Sequence, residues 1–186
     1  MRVLVTCTGA LTGDGREQVT GFHMMGEVIG IDMLGGGVHA TDAVALVDTE
    51  VCEMSLAVLD SLSRDMPALR RKLYQMINEQ FQLEREAMLL LGSLRAEDRV
   101  ASFLLNLGRR YQARGFSALR FLLCMSRADI GSHLGLRLET VSRVLSKLQA
   151  EGLLRVDSKS VEILDREGLQ QVIGRRSEER RVGKRV

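Results

Sequence analysis

Residues 138–147 (LETVSRVLSK) gather side chains that could exchange hydrogen bonds with the edges of DNA bases. The planar fork of Arg143 matches the paired O6 and N7 acceptors of guanine. Glu139 can accept from the N4 amino group of cytosine, and Ser142 is short enough to lie against a thymine. Around them stand Arg127, Arg137, Thr140, Lys147 and Lys159, candidates for phosphate contacts that position a protein on the duplex without specifying sequence.

These groups need elements that can hold them. A helix starting at Leu138 places Leu138, Val141, Leu145 and Leu148 on one apolar stripe and turns Glu139, Ser142, Arg143, Ser146 and Lys147 outward. Upstream, residues 126–134 (SRADIGSHL) form a second short helix. Ser126 is its N-cap, Asp129 stands three residues on as in a capping box, and Ala128, Ile130 and Leu134 face inward. Gly135 supplies the corner between the two helices. Helix, turn, helix is the arrangement that lays its second helix in the major groove. Two amphipathic helices around a glycine also occur in domains that never touch DNA. Residues 153–164 (LLRVDSKSVEIL) narrow the choice, because they alternate like two strands around Asp157, Ser158 and Lys159 and form a small wing. Arg137 falls at the N-cap of the outward-facing helix, where it offers no acceptor to the free N–H groups.

The run 127–154 resembles the DNA-binding motif of the CRP/FNR superfamily of bacterial transcription regulators. Its Glu139–Arg143 core (ETVSR) is similar to the FNR branch of anaerobic regulators. The resemblance extends back through residues 18–34 (QVTGFHMMGEVIGIDML), 51–55 (VCEMS) and 66–73 (MPALRRKL), and covers roughly residues 15–173. It implies an α+β chain with part of a cyclic-nucleotide-binding-like β-roll, a long dimerisation helix and a C-terminal winged helix-turn-helix domain. It also implies a TTGAT-like palindromic site, RNA polymerase as a partner and an oxygen-responsive parent protein. The alternative is a ligand-sensing or interaction module that keeps this fold without reading DNA. In the family the recognition-helix N-cap is usually a hydroxyl residue, and Arg137 departs from that pattern.

The expected segments are a β-roll over 1–57, a dimerisation helix over 58–92 and the winged domain over 93–174. Residues 1–57 are rich in glycine and β-branched residues, with short apolar runs at Val3–Val5, Val28–Ile31 and Val44–Val47 and turn signals at 13–15 (GDG) and 35–37 (GGG). An intact roll needs more strands than fit there, so the chain is expected to begin inside it, as a fragment. Helical patterning starts near Asp60, with Pro67, the only proline, in a first turn. Tyr74, Phe81 and Met88 recur every seven residues, as do Ile77, Glu84 and Leu91, which makes a seam of about 25 Å. A merely core-facing helix would show the same periodicity. The resemblance assigns this helix to a homodimer interface, where two Glu84 carboxylates would face each other unless they lie off the seam in water. The next helix is expected to start at Ser93, Glu97 and Asp98, to bury Val100, Phe103, Leu104, Leu107 and Tyr111, and to end at Gly115. A last helix, capped by Asp165 and carrying Leu169, Val172 and Ile173, closes the domain. Residues 175–186 (RRSEERRVGKRV) resemble a translated sequencing-library adapter and are expected to be a non-native scar.

Other chemistries fare worse. The net charge of +2 divides into an acidic 1–92, with 7 basic and 13 acidic residues, and a basic remainder suited to a polyphosphate partner. Three scattered cysteines form no disulfide framework, and no apolar run approaches the ~18 residues of a membrane span, so a cytoplasmic protein is expected. The histidines His23, His39 and His133 are isolated, and no catalytic constellation appears. Cyclic-nucleotide binding requires a Gly-Glu turn, met by Gly26 and Glu27, and a following arginine. Residues 38–50 contain no Arg or Lys and add Asp42 near the phosphate position, so no cyclic nucleotide is expected. The FNR branch holds a [4Fe–4S] cluster on four cysteines, three near the N-terminus and one after the roll. Cys52 matches the last, and Cys7 does not fit the trio. This chain is expected to be cluster-free, with Cys52 a ligand only in a full-length parent; a structural cysteine at a strand end is the other reading.

Overall fold

The computed structural model describes residues 5–11, 17–31, 33, 38–39, 41–93 and 95–173, which fall into two compact units, residues 1–88 and 89–186. The expected turns at 13–15 and 35–37 and the tail 175–186 lie outside the described residues.

In the first unit, strands β1 (Val5–Leu11), β2 (Glu17–Met24) and β3 (Asp42–Ala45) form an antiparallel sheet in the order β2-β1-β3. The β1–β2 ladder pairs Thr8 with Gly21 but Gly9 with Val19, leaving Thr20 as an extra residue. That bulge changes the side-chain parity, so Val19, Phe22 and Met24 can all be buried. Thr20 donates its hydroxyl to the Thr8 carbonyl at 3.1 Å. The strand expected at Val28–Ile31 does not form. Gly26, two residues before it, and Gly30, within it, take φ 84° and 81°, which interrupts an extended backbone. The strand 17–24 was not anticipated.

Ser55 caps α1 (Leu56–Asp65), its Oγ accepting the Val58 N–H at 3.4 Å. The single helix expected over 58–92 is in fact two. Met66 precedes Pro67 and takes φ −122°, ψ 90°, since the pyrrolidine ring disfavours helical backbone in the residue before it. Pro67 then opens α2 (Pro67–Ser93), a helix of 27 residues and ~40 Å that continues through Gly92.

The second unit is built on α3 (Ala96–Gln112), whose Val100, Ala101, Phe103, Leu104, Leu107 and Tyr111 are buried. Ser93 does not start this helix, because it ends α2. Arg95 stands at the N-cap, and the buried Asp98 carboxylate accepts the Arg95 backbone N–H at 3.1 Å. The helix stops at Gln112, and a turn carries the chain to Gly115. Next come β4 (Arg120–Leu122), α4 (Arg127–Leu134), α5 (Leu138–Ala150), β5 (Leu154–Asp157), β6 (Ser160–Ile163) and a helix over 166–173. The expected two-stranded wing is a three-stranded antiparallel sheet in the order β4-β6-β5. Tyr111 ties α3 to it, stacking on Phe121 at 5.3 Å between centroids and donating its hydroxyl to the Leu122 carbonyl at 3.0 Å. In the last helix the Asp165 carboxylate accepts the Gly168 N–H at 2.8 Å, and Leu169 and Val172 are buried.

Candidate nucleic-acid interface

The helix pair begins with a reciprocal cap. Ser126 Oγ accepts the Asp129 N–H at 3.1 Å, and the Asp129 carboxylate accepts the Ser126 N–H at 2.7 Å. Ile130, Gly131 and Leu134 form the buried side of α4, whereas Ala128 is exposed, contrary to the expected inner face. Gly131 is needed for close approach: a Cβ there would lie 2.7 Å from the Leu136 carbonyl oxygen. Gly135 then takes left-handed backbone at φ 62°, ψ 39°, and Leu136 donates its N–H to the Gly131 carbonyl at 2.8 Å.

Helix α5 packs through Val141, Val144, Leu145 and Leu148. Leu138, which the stripe placed in the core, is 45% exposed, and Val144 joins the core instead. Arg137 is the N-cap residue and makes no side-chain capping bond, so the first turn has only the Arg137 carbonyl, which accepts from Thr140 and Val141 at 3.0 and 3.1 Å. Glu139 and Arg143 are exposed on adjacent turns, with Ser142 and Thr140 half-buried beside them. Among the described residues, Glu139, Arg137 and Arg143 form no side-chain hydrogen bond or ion pair, so their polar groups remain open to a ligand. The wing projects Lys159 at a two-residue turn in which Ser158 has φ 53°. The Lys159 side chain is exposed.

Two of the phosphate candidates are differently placed. Lys147 lies 2.7 Å from Glu97 Oε1 of α3 and 3.9 Å from Glu151. Arg127 is half-buried in the first turn of α4, and its Nη1 is shut off from solvent with no hydrogen-bond partner among the described residues. Burial lowers its pKa, although a guanidinium remains charged. Unanticipated from sequence is a cross-strand triad on the outer face of the wing sheet. The Glu162 carboxylate lies between Arg120 and Arg155, which pair with it across the two ladders. The hydrogen bond from Arg120 holds its pKa below the usual carboxylate value.

Residues 98–172, spanning this whole arrangement, match the Crp-like helix-turn-helix domain family. The chain is 42% identical over 163 residues to the transcriptional regulatory protein Btr of Bordetella pertussis, covering 88% of this chain and 67% of that one. It is 44% identical over 158 residues to the transcriptional activator protein Anr of Pseudomonas aeruginosa, covering 85% and 65%. It is 42% identical to the fumarate and nitrate reduction regulatory protein of Escherichia coli, covering 88% and 66%. Among solved structures, FixK2 of Bradyrhizobium japonicum superposes with a TM-score of 0.82 at 36% identity, covering 90% of this chain and 82% of that one. The chain belongs to the CRP/FNR family of transcription regulators, in its FNR-type branch. It spans about two thirds of the length of these curated relatives. A CRP/FNR chain is a regulator rather than an enzyme. Among the described residues no helix is long and apolar enough to cross a membrane.

The other site candidates can be placed within the CRP/FNR plan. On α2, Tyr74, Phe81 and Met88 are exposed by 64%, 65% and 72%, a stripe of large apolar side chains left open in the single chain. Ile77 is half-buried. Glu84 is exposed and accepts from Gln80 Nε2 at 3.3 Å; the side chain of Leu91 lies outside the description.

Glu27 turns back to accept the Met24 N–H at 3.1 Å. The cavity it lines with Gly26, Lys72, Glu79 and Gln80 holds about 90 Å³, against roughly 300–1,000 Å³ for small-molecule pockets. Cys52 is an exposed free thiol, and no three metal-ligating side chains converge among the described residues, whereas a cubane cluster needs four ligands.

Proposed function

We propose that the chain is a homodimeric, sequence-specific DNA-binding regulator that reads a TTGAT-like near-palindrome. The observation that carries this reading is the pairing of a fully capped α4 and its tight glycine turn with an α5 whose Glu139 and Arg143 stand exposed and unengaged. Such a helix presents its first turns to base edges. Arg143 reads a guanine through two hydrogen bonds, Glu139 a cytosine amino group, and Ser142 packs against a thymine. Arg137, Thr140 and Lys159 touch phosphate, and Arg127 adds to them through the part of its guanidinium that is not enclosed.

A two-fold axis through α2 brings two recognition helices to half-sites about one helical turn apart, and the exposed Tyr74, Phe81 and Met88 supply the apolar seam. By family resemblance the reading extends to anaerobic gene control, which the name of the Escherichia coli fumarate and nitrate reduction relative supports, and to an oxygen-responsive parent in which Cys52 would be one ligand of a [4Fe–4S] cluster. By family resemblance the reading also includes RNA polymerase as a partner and the cytoplasm as the compartment.

Fluorescence anisotropy with a TTGAT palindrome and a scrambled duplex tests the DNA reading. The parent chain binds the palindrome more tightly, and Arg143→Ala loses ~1–3 kcal/mol on it while barely changing the scrambled complex. Equal losses on both duplexes would show that Arg143 touches only backbone. No binding to either would favour a module that does not read DNA.

A further inference from the structure

The first turn of α3 holds both helices of the helix-turn-helix at once. Glu97 Oε1 is 2.7 Å from Lys147 Nζ on α5, and Arg99 Nη1 donates to the Leu134 carbonyl at the end of α4 at 2.9 Å. The second contact satisfies one of the carbonyls that a helix C-terminus leaves without an internal partner, and it places positive charge where the helix dipole is negative. The first contact acts on the reading stripe itself. Lys147 follows Arg143 by four residues and Glu139 by eight, so the three side chains lie on one side of α5 about 6 Å apart along its axis.

We propose that Glu97 and Arg99 are positioning residues for DNA reading, and that Lys147 serves as their anchor on the recognition helix rather than as a phosphate contact. Both groups of the Glu97–Lys147 pair are partly exposed, at 36% and 49% of their side chains, and an exposed ion pair adds little to stability. Its effect is geometric: it fixes the rotation of α5 about its own axis. A bidentate contact between Arg143 and a guanine tolerates about 0.5 Å of displacement, so a small rotation costs discrimination before it costs fold. The Lys147 charge is already compensated by Glu97, with Glu151 nearby, which leaves little to release counterions from DNA.

The proposal rests on the DNA-reading function above, and the test separates the two. The full chain, Glu97→Gln, Lys147→Gln and the exchanged pair Glu97→Lys with Lys147→Glu are titrated on the TTGAT palindrome and the scrambled duplex over a salt series. Each single variant should lower the preference for the palindrome by about threefold to tenfold, with an unchanged salt slope, and the exchanged pair should regain most of the preference. A Lys147→Gln protein that loses affinity equally on both duplexes and lowers the salt slope by about one unit would overturn the proposal, because that is the behaviour of a phosphate contact. So would a Glu97→Gln protein that discriminates as well as the parent. Should the parent itself not discriminate, the DNA reading fails and amide exchange over residues 138–150 decides the clamp alone. Exchange about threefold faster in Glu97→Gln, and restored in the exchanged pair, supports it; identical exchange in all four proteins refutes it.

Discussion

Replacing Gly131 by alanine sets two effects of opposite sign against each other. Alanine in a helix interior is favoured over glycine by ~1 kcal/mol, so on propensity alone the variant should be more stable. The added Cβ, however, would sit 2.7 Å from the Leu136 carbonyl oxygen and 3.5 Å from the carbonyl carbons of Leu136 and Arg137. An ordinary carbon–oxygen contact is ~3.3–3.6 Å, so Leu136 must retreat by roughly 0.6–0.9 Å. The neighbour is backbone, which has no rotamer to give. The retreat also strains the 2.8 Å bond from the Leu136 N–H to the Gly131 carbonyl and displaces Arg137, whose carbonyl opens α5. Overpacking of this kind costs ~1–3 kcal/mol. The clash should therefore win, with a net loss of about 1 kcal/mol, or a fall in Tm of about 4–8 °C for a domain of this size.

Differential scanning calorimetry of parent and variant measures the sign directly. Discrimination between the TTGAT palindrome and a scrambled duplex reads the displacement of α5, and it should fall several-fold. A higher Tm for Gly131→Ala would refute the reasoning, because it would mean that the turn yields freely and propensity dominates. A lower Tm with unchanged discrimination would show that the turn moves without carrying the recognition helix.

Lys159→Ala, at the tip of the wing, should weaken binding to every duplex alike and reduce the slope of log affinity against log salt by about one unit; an unchanged slope removes it from the phosphate contacts. Glu84→Ala should tighten dimerisation if the two carboxylates face each other across the α2 seam, and equal dimer affinities by sedimentation would place Glu84 in water. The Tyr111 phenol is pushed up to about 12, mainly by burial. Its folded-state value lies above the unfolded one, so the unfolded chain releases the proton first; stability is fully present below pH ~10 and falls by up to roughly 2–3 kcal/mol as pH rises toward 12. Denaturant unfolding at pH 9 and 11.5 should show that slope reduced in Tyr111→Phe, which at pH 7 loses ~1 kcal/mol with its bond to the Leu122 carbonyl. An equal slope in both proteins would assign the alkaline loss to other groups.

Features set by residues close in sequence were the legible ones. The Ser126–Asp129 capping box needs only three residues, the Gly135 corner one, and the wing turn a polar pair between alternating strands. The inner face of α3 was legible because its apolar period is long and uninterrupted. Features set by distant partners were not. Strand β4 is only three residues long and is defined by pairing with β6 some forty residues later. The Thr20 bulge inverts the alternation on which a strand assignment depends, which hides Val19, Phe22 and Met24 as one face. Met66 breaks a continuous helical pattern only because Pro67 follows it: the proline that opens one helix also bars its predecessor from helical backbone.

The same distinction divides the charged residues of the candidate interface. Periodicity places Arg143 and Lys147 on one outward stripe of α5 and offers no means of telling them apart, because each is a cation one turn from the other. What separates them is Glu97, fifty residues earlier in the chain, which α3 brings within 2.7 Å of the lysine. A basic residue on a recognition helix is therefore a reader only if the fold leaves it uncompensated. By that criterion Arg143 and Lys159 remain open to DNA, Arg127 is partly withdrawn by burial, and Lys147 is engaged within the protein. If the criterion holds, the salt slope should respond to Lys159 and not to Lys147, although both are exposed lysines of the same domain.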